Sequence, residues 1–230
     1  MKGQPRTEYY LFSPFLRIFH WIMVAAILTL FVTGLLITRP VGLLAEDPSS
    51  TMLTVDMIRS IHFLAAFIFC AAFILRIYGF IVNKGDRLFP HFWEGRFYSD
   101  TLDVMLHYML IKKSHAPMLR NPLARGGYAA LYVMVLVEIV TGFAMYFPAM
   151  PDGFGGLFMW VNVLLGGEYM THFVHHVFAW FIILFALVHV YMVFREDFMD
   201  HEGEASSMFS GVKIFKHEPV DADDVEKPRP

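Results

Sequence analysis

A single cysteine, Cys70, stands among the 230 residues, and it lies inside an apolar run. That count excludes an intrachain disulfide, a cysteine-held iron–sulfur cluster and a covalent CxxCH haem attachment. Charge is scarce as well. The 18 Lys and Arg and 21 Asp and Glu residues make up 17% of the chain, against about 25% in an ordinary soluble domain. A net charge of -3 gives no basic field, so nucleic acid is not an expected partner. No Gly-rich phosphate-binding loop is present. What the chain does have is apolar bulk: 57% hydrophobic residues, with 24 Phe, 15 Met and 10 Tyr. So few charges cannot cover that much apolar surface, and a water-soluble monomer is excluded.

A bilayer core of about 30 Å needs about 20 apolar residues in a helix rising about 1.5 Å per residue. Four stretches meet this requirement, at about 18–38, 57–82, 126–147 and 171–194. The first is too long for the apolar part of a signal peptide and lacks a small-residue cleavage site, so it reads as a retained helix. All of the 18 Lys and Arg residues except Arg39 and Arg59 fall on one side if the N-terminus is cytoplasmic. The positive-inside rule then puts both termini of a multi-pass membrane protein in the cytoplasm. Residues 39–56 form a short outer loop with Pro40, Gly42 and Pro48 as breakers. Residues 157–165 are apolar but too short to span, which suits the outer interface or the underside of a partner. Residues 97–113 suit a short surface helix. The domain reading is thus a transmembrane unit over 1–200 and a flexible polar tail over 201–230. No internal repeat is read from the sequence.

Polar groups inside membrane helices are costly and therefore informative. His20 lies toward the inner end of the first helix and His62 toward the outer end of the second, while the fourth carries His175 near its outer end and His189 further in. Two histidines at each of two depths suit axial ligation of two irons, one above the other. The 14 residues from His175 to His189 bring the direction back to within about 40° and separate the two by about 21 Å. His176 points more than about 100° away from His189, and His172 lies further out. The expected fold is an all-α integral membrane protein, a four-transmembrane-helix bundle enclosing two stacked haems. Zinc is disfavoured because neither pair has a third His, Cys or carboxylate beside it.

Other residues carry two readings each. Gly34 and Gly142 leave room for a flat macrocycle or simply allow close helix packing. Arg76 pairs with a haem propionate or snorkels to the headgroups. Arg17, Trp21 and Trp180 read as interfacial or packing residues. Glu138, near the middle of the third helix, relays protons to a quinone or makes a hydrogen bond within the bundle.

The sequence resembles the cytochrome b membrane subunits of nickel–iron uptake hydrogenases over almost its whole length, up to about Lys216. The resemblance rests on RIFHW at 17–21, VTG at 32–34, MIRSIHF at 57–63, RIY at 76–78 and NPLAR at 121–125. It continues through TGFAMY at 141–146, HHVFAW at 175–180, HVYMVFRED at 189–197 and SMFSG at 207–211. It implies two haem b groups, the outer held by His62 and His175 and the inner by His20 and His189. It also implies a periplasmic hydrogenase docked on the outer face. Hydrogen chemistry would belong to that enzyme's large subunit, and electrons would arrive from its iron–sulfur small subunit. The acceptor would be a quinone, menaquinone or ubiquinone, near Asn121, Pro122, Arg125 and His189, although Asn-Pro is also an ordinary helix entry. Membrane lipid and further copies of the complex complete the expected partners. The resemblance leads one to expect an apolar residue where Glu138 stands. The cytochrome b subunit of a formate dehydrogenase or another periplasmic oxidoreductase shares this plan. A haem-free, proton-coupled transporter is the reading from a different class.

Overall fold

The computed structural model describes residues 7–39, 48–82, 90–113, 118–119, 121–147, 153–200, 203–215 and 219. Parts of the expected outer loop, middle segment and tail therefore lie outside the described residues. Strand β1 (Thr7–Tyr10) is followed by helices α1 (Pro14–Thr38) and α2 (Pro48–Val82). Next come α3 (Gly95–Tyr108), α4 (Pro122–Tyr146), a 3-10 turn (Gly153–Phe158) and α5 (Met159–Leu165). The chain continues with α6 (Glu168–Asp200), α7 (Glu204–Ser210) and strand β2 (Val212–Phe215).

Helices α1, α2, α4 and α6 are each long and apolar enough to cross a membrane. They carry exposed apolar side chains, Ile18, Leu28, Leu64, Ile74, Leu136 and Leu184 among them, as suits a helix surrounded by hydrocarbon or partner helices rather than water. Each starts before its expected first residue, and α6 also runs on past its expected last one. Pro48 opens α2 rather than breaking the outer loop, because proline's fixed φ and missing N–H cost nothing in a first helical turn. Pro122 does the same for α4, where Asn121 caps the helix with its side-chain oxygen accepting from Leu123 N (2.9 Å) and Ala124 N (3.4 Å).

Two compact units make up the molecule: α1 with α2, and the strand pair with α3 to α7. Within the first, α1 and α2 pack side by side as a helical hairpin. Within the second, α4 and α6 do the same, and buried Asn162 of α5 joins them. Its Nδ2 donates to Ala144 O at the end of α4 (3.1 Å), and its Oδ1 accepts from Thr171 Oγ1 of α6 (2.7 Å). Gly166 and Gly167, at φ of 87° and 119°, turn the chain between α5 and α6 in a conformation that excludes a β-carbon at little cost only for glycine. Replacing Asn162 with leucine leaves the Ala144 carbonyl and the Thr171 hydroxyl buried without this partner. The expected cost is about 1–3 kcal/mol, read as a lower thermal midpoint of the detergent-solubilised protein.

The tail departs from expectation. Residues 203–215, placed in a flexible segment by composition, form α7 and β2. Strand β2 pairs antiparallel with β1, Thr7 opposite Phe215 and Tyr10 opposite Val212. Phe215 is buried with Leu11 and Leu119, and Tyr9 packs on them. Lys213 pairs with Glu204. The polar residues of this stretch thus alternate with apolar ones that find a core supplied by distant parts of the chain.

Three consecutive charges at the end of α6 hold this cap together. Arg195 Nη2 donates to His107 O (3.1 Å), and its guanidinium lies 5.4 Å from the Tyr108 ring centre. Glu196 Oε2 accepts from Tyr108 Oη (2.9 Å), and Asp197 Oδ1 accepts from Glu204 N at the start of α7 (3.0 Å). Burial, and then the neighbouring Glu196 carboxylate, push the Tyr108 phenol well above its ordinary range, so it stays a neutral donor at physiological pH.

Candidate functional site

The four histidines divide between the two hairpins, His20 and His62 in the first, His175 and His189 in the second. In the first hairpin, His62 on α2 meets a threonine–glycine pair on α1. Thr33 Oγ1 donates to Thr29 O one turn back (2.7 Å), which commits its only proton. The same oxygen lies 2.8 Å from His62 Nδ1 and must therefore accept from it. His62 is thereby held as the Nδ1–H tautomer, which leaves the lone pair on Nε2. A β-carbon at Gly34 would lie 3.6 Å from His62 Cε1, the carbon beside Nε2.

The second hairpin repeats this arrangement. Thr141 Oγ1 donates to Val137 O (2.6 Å) and lies 2.9 Å from His175 Nδ1. A β-carbon at Gly142 would lie 3.5 Å from His175 Cε1. The correspondence extends along the chain. Arg17, Val32-Thr33-Gly34 and Pro40 keep the intervals of Arg125, Val140-Thr141-Gly142 and Pro148. Met57, His62, Ala66 and Tyr78 keep those of Met170, His175, Ala179 and Tyr191. The expectation of no internal repeat is corrected: the signal is the VTG triplet preceding each of the matched histidines, too sparse to stand out among apolar residues until geometry aligns it. Sequence reasoning missed Thr33 and Thr141 altogether, because a threonine inside an apolar helix ordinarily just bonds back to its own backbone.

At the other depth the two hairpins differ. His20 on α1 has Tyr128 as its counterpart on α4, and His189 on α6 has Arg76 as its counterpart on α2. His189 lies parallel to Phe185 (3° between planes, centroids 6.1 Å apart) and edge-on to Tyr128 (6.5 Å). Arg76 is only 2% exposed, with its guanidinium 5.9 Å from the Phe19 ring centre.

Asn121 and Arg125 come together in a cleft of the second unit. Leu11, Phe12, Tyr128 and the Tyr108–Glu196 pair also line it, along with Glu204 and Lys213. Tyr128 lines this cleft and touches the His189 ring, so one aromatic side chain separates the cleft from that histidine. Arg125 is buried, and its Nη1 stands 3.5 Å from His91 Nε2.

The donor set fits haem b. Two imidazoles with Nδ1–H engaged present the nitrogen that axial ligation uses, and hydroxyl acceptors behind them fix ring orientation. Glycine at both Cε1 contacts keeps a side chain away from the rings, as a site holding a flat macrocycle would need.

The chain resembles known proteins along most of its length. The pattern of the family described as prokaryotic cytochrome b561 matches residues 11–211. A Rhizobium leguminosarum bv. viciae protein named "Probable Ni/Fe-hydrogenase B-type cytochrome subunit" is 33% identical, over 94% of this chain and 92% of its own length. A Rhodobacter capsulatus protein of the same name is 30% identical, over 94% and 85%. Escherichia coli (strain K12) has a "Probable Ni/Fe-hydrogenase 1 B-type cytochrome subunit", 30% identical over 94% of both chains. From the residue after β1 to the glycine that caps α7, the matched stretch takes in both histidine-bearing hairpins, and the chain belongs to the prokaryotic cytochrome b561 family.

Proposed function

We propose that this chain is the di-haem cytochrome b subunit that anchors a nickel–iron hydrogenase to the bacterial inner membrane and carries its electrons to quinone. The observation that carries the reading is the repeated constellation of threonine, histidine and glycine, at Thr33, His62 and Gly34 and again at Thr141, His175 and Gly142. The hydrogenase assignment comes from the names of the relatives, which resemble this chain along nearly its whole length.

In this reading the four long helices enclose the haems. His62 and His175 hold the outer one, and His20 and His189 the inner one. Haem b, when bound at these ligands, supplies reversible one-electron transfer. The remaining work falls to the protein. Thr33 and Thr141 orient the outer imidazoles, the apolar helices keep water away, and buried Arg76 offers its charge to a propionate. The quinone sits in the cleft containing Asn121 and Arg125, next to Tyr128 and His189. There Arg125 donates hydrogen bonds to a quinone oxygen, and Tyr108 keeps a neutral hydroxyl at hand. The density of Lys and Arg puts this cleft and both termini on the cytoplasmic side, and the outer face receives the iron–sulfur small subunit.

Purification of the native complex tests the reading. Nickel, two haem b per copy of this chain and reduction of those haems by hydrogen are the expected results. Molybdenum or tungsten with formate-driven reduction would reassign the chain to a formate dehydrogenase. A reduced-minus-oxidised spectrum without b-type bands would leave the transporter reading.

A further inference from the structure

Glu138 breaks the equivalence of the two hairpins. Its Oε2 lies 3.0 Å from His175 Nδ1, the same nitrogen that Thr141 contacts. In the first hairpin the corresponding register holds Leu30, which brings no side-chain acceptor to His62. The Glu138 side chain is only 12% exposed, and its Oε1 is buried with no hydrogen-bond partner among the described residues. A carboxyl group inside a membrane helix is costly. Here it is turned toward the Nδ1 of a histidine whose Nε2 is the proposed ligand atom.

We propose that Glu138 is a positioning residue that makes the two sides of the outer haem electronically unequal. Beside the threonine hydroxyl that each Nδ1 meets, His175 has a carboxyl oxygen at 3.0 Å, whereas His62 has the backbone of Leu30 in that register. A carboxyl acceptor draws the Nδ1 proton away from the ring and enriches Nε2 in electron density. A more basic ligand favours oxidised iron and lowers the reduction potential. Glu138 therefore sets the outer haem lower than two hydroxyl-bonded imidazoles would, which steepens the downhill step from outer to inner haem.

This inference rests on the ligation proposed above, and its test keeps the two apart. Redox titration of the purified complex is carried out on the wild type, Glu138→Leu and Glu138→Gln, with haem b counted in each. Leucine restores the symmetry with Leu30. It is expected to raise the one-electron reduction constant of one haem tenfold or more, about 59 mV, and to leave the other haem unmoved. Glutamine keeps an acceptor oxygen without the acidic group and is expected to move the same haem in the same direction by less. The shift persists after His20→Ala removes the inner haem. Wild-type potentials in both variants, or equal movement of both haems, would overturn the role of Glu138 while leaving the cytochrome reading intact. Absence of haem b from the wild-type complex would instead remove the reading beneath it.

Discussion

Alanine at His175 is expected to take one of two haem b groups from the complex and to stop hydrogen-driven quinone reduction. Alanine at His62 is expected to give the same spectrum. The two residues occupy equivalent positions in equivalent hairpins, each with its Nδ1 hydrogen bonded to a threonine hydroxyl. If they face one iron, losing either leaves a single axial ligand and an open position. Alanine at His20 or His189 should remove the other haem and leave the first in place. Pyridine haemochrome counts and low-temperature difference spectra distinguish the patterns. Four independent single losses, or retention of both haems after His175→Ala, would contradict the pairing. Activity alone would not suffice, since a break anywhere in the relay gives the same silence.

The second large effect concerns the threonines. Valine at Thr33 keeps the shape of the side chain and removes the hydroxyl that accepts from His62. The ring then keeps only its backbone hydrogen bond with Leu30 and is held less firmly. Loss of a group that orients a metal ligand costs about 10- to 100-fold in affinity, and Thr33→Val is expected to weaken haem retention on that scale. Serine, which keeps the oxygen, should restore most of it. Thr141→Val should be milder, because a Glu138 carboxyl oxygen still stands 3.0 Å from His175 Nδ1. Adding Glu138→Leu to Thr141→Val should bring the second hairpin down to the level of Thr33→Val. Equal losses at Thr33 and Thr141, unaffected by residue 138, would show that the hydroxyls act through packing alone. Haem loss under serial dilution is the measurement.

The helices and their histidines were legible because one-dimensional rules govern them. An apolar run of span length has to be helical in hydrocarbon, and a histidine within it is conspicuous at once. The helix-starting prolines at 48 and 122 follow a local rule as well, although Pro48 reads equally as a loop breaker until the helix after it is seen. Order in the tail was not legible, since Phe215 and Lys213 gain their surroundings from Tyr9, Leu11, Leu119 and Glu204 rather than from their neighbours. Arg195, Glu196 and Asp197 read as a polar edge following a span, and only the fold shows that each ties down a different piece. The threonines were hidden for a similar reason. Their meaning depends on an imidazole on another helix, and no periodicity within α1 or α4 encodes it.

The pairing of β1 with β2 joins two segments about 200 residues apart, one before the first long helix and one after the last. Contacts of such sequence separation close late, and during synthesis the N-terminal strand has no complementary edge until Val212–Phe215 has left the ribosome. All four long helices have by then been made, so the strand pair can close only on a chain that contains them. A prematurely ended product would keep a dangling strand beside an unfinished cap, a mark by which proteases could tell it from a finished subunit.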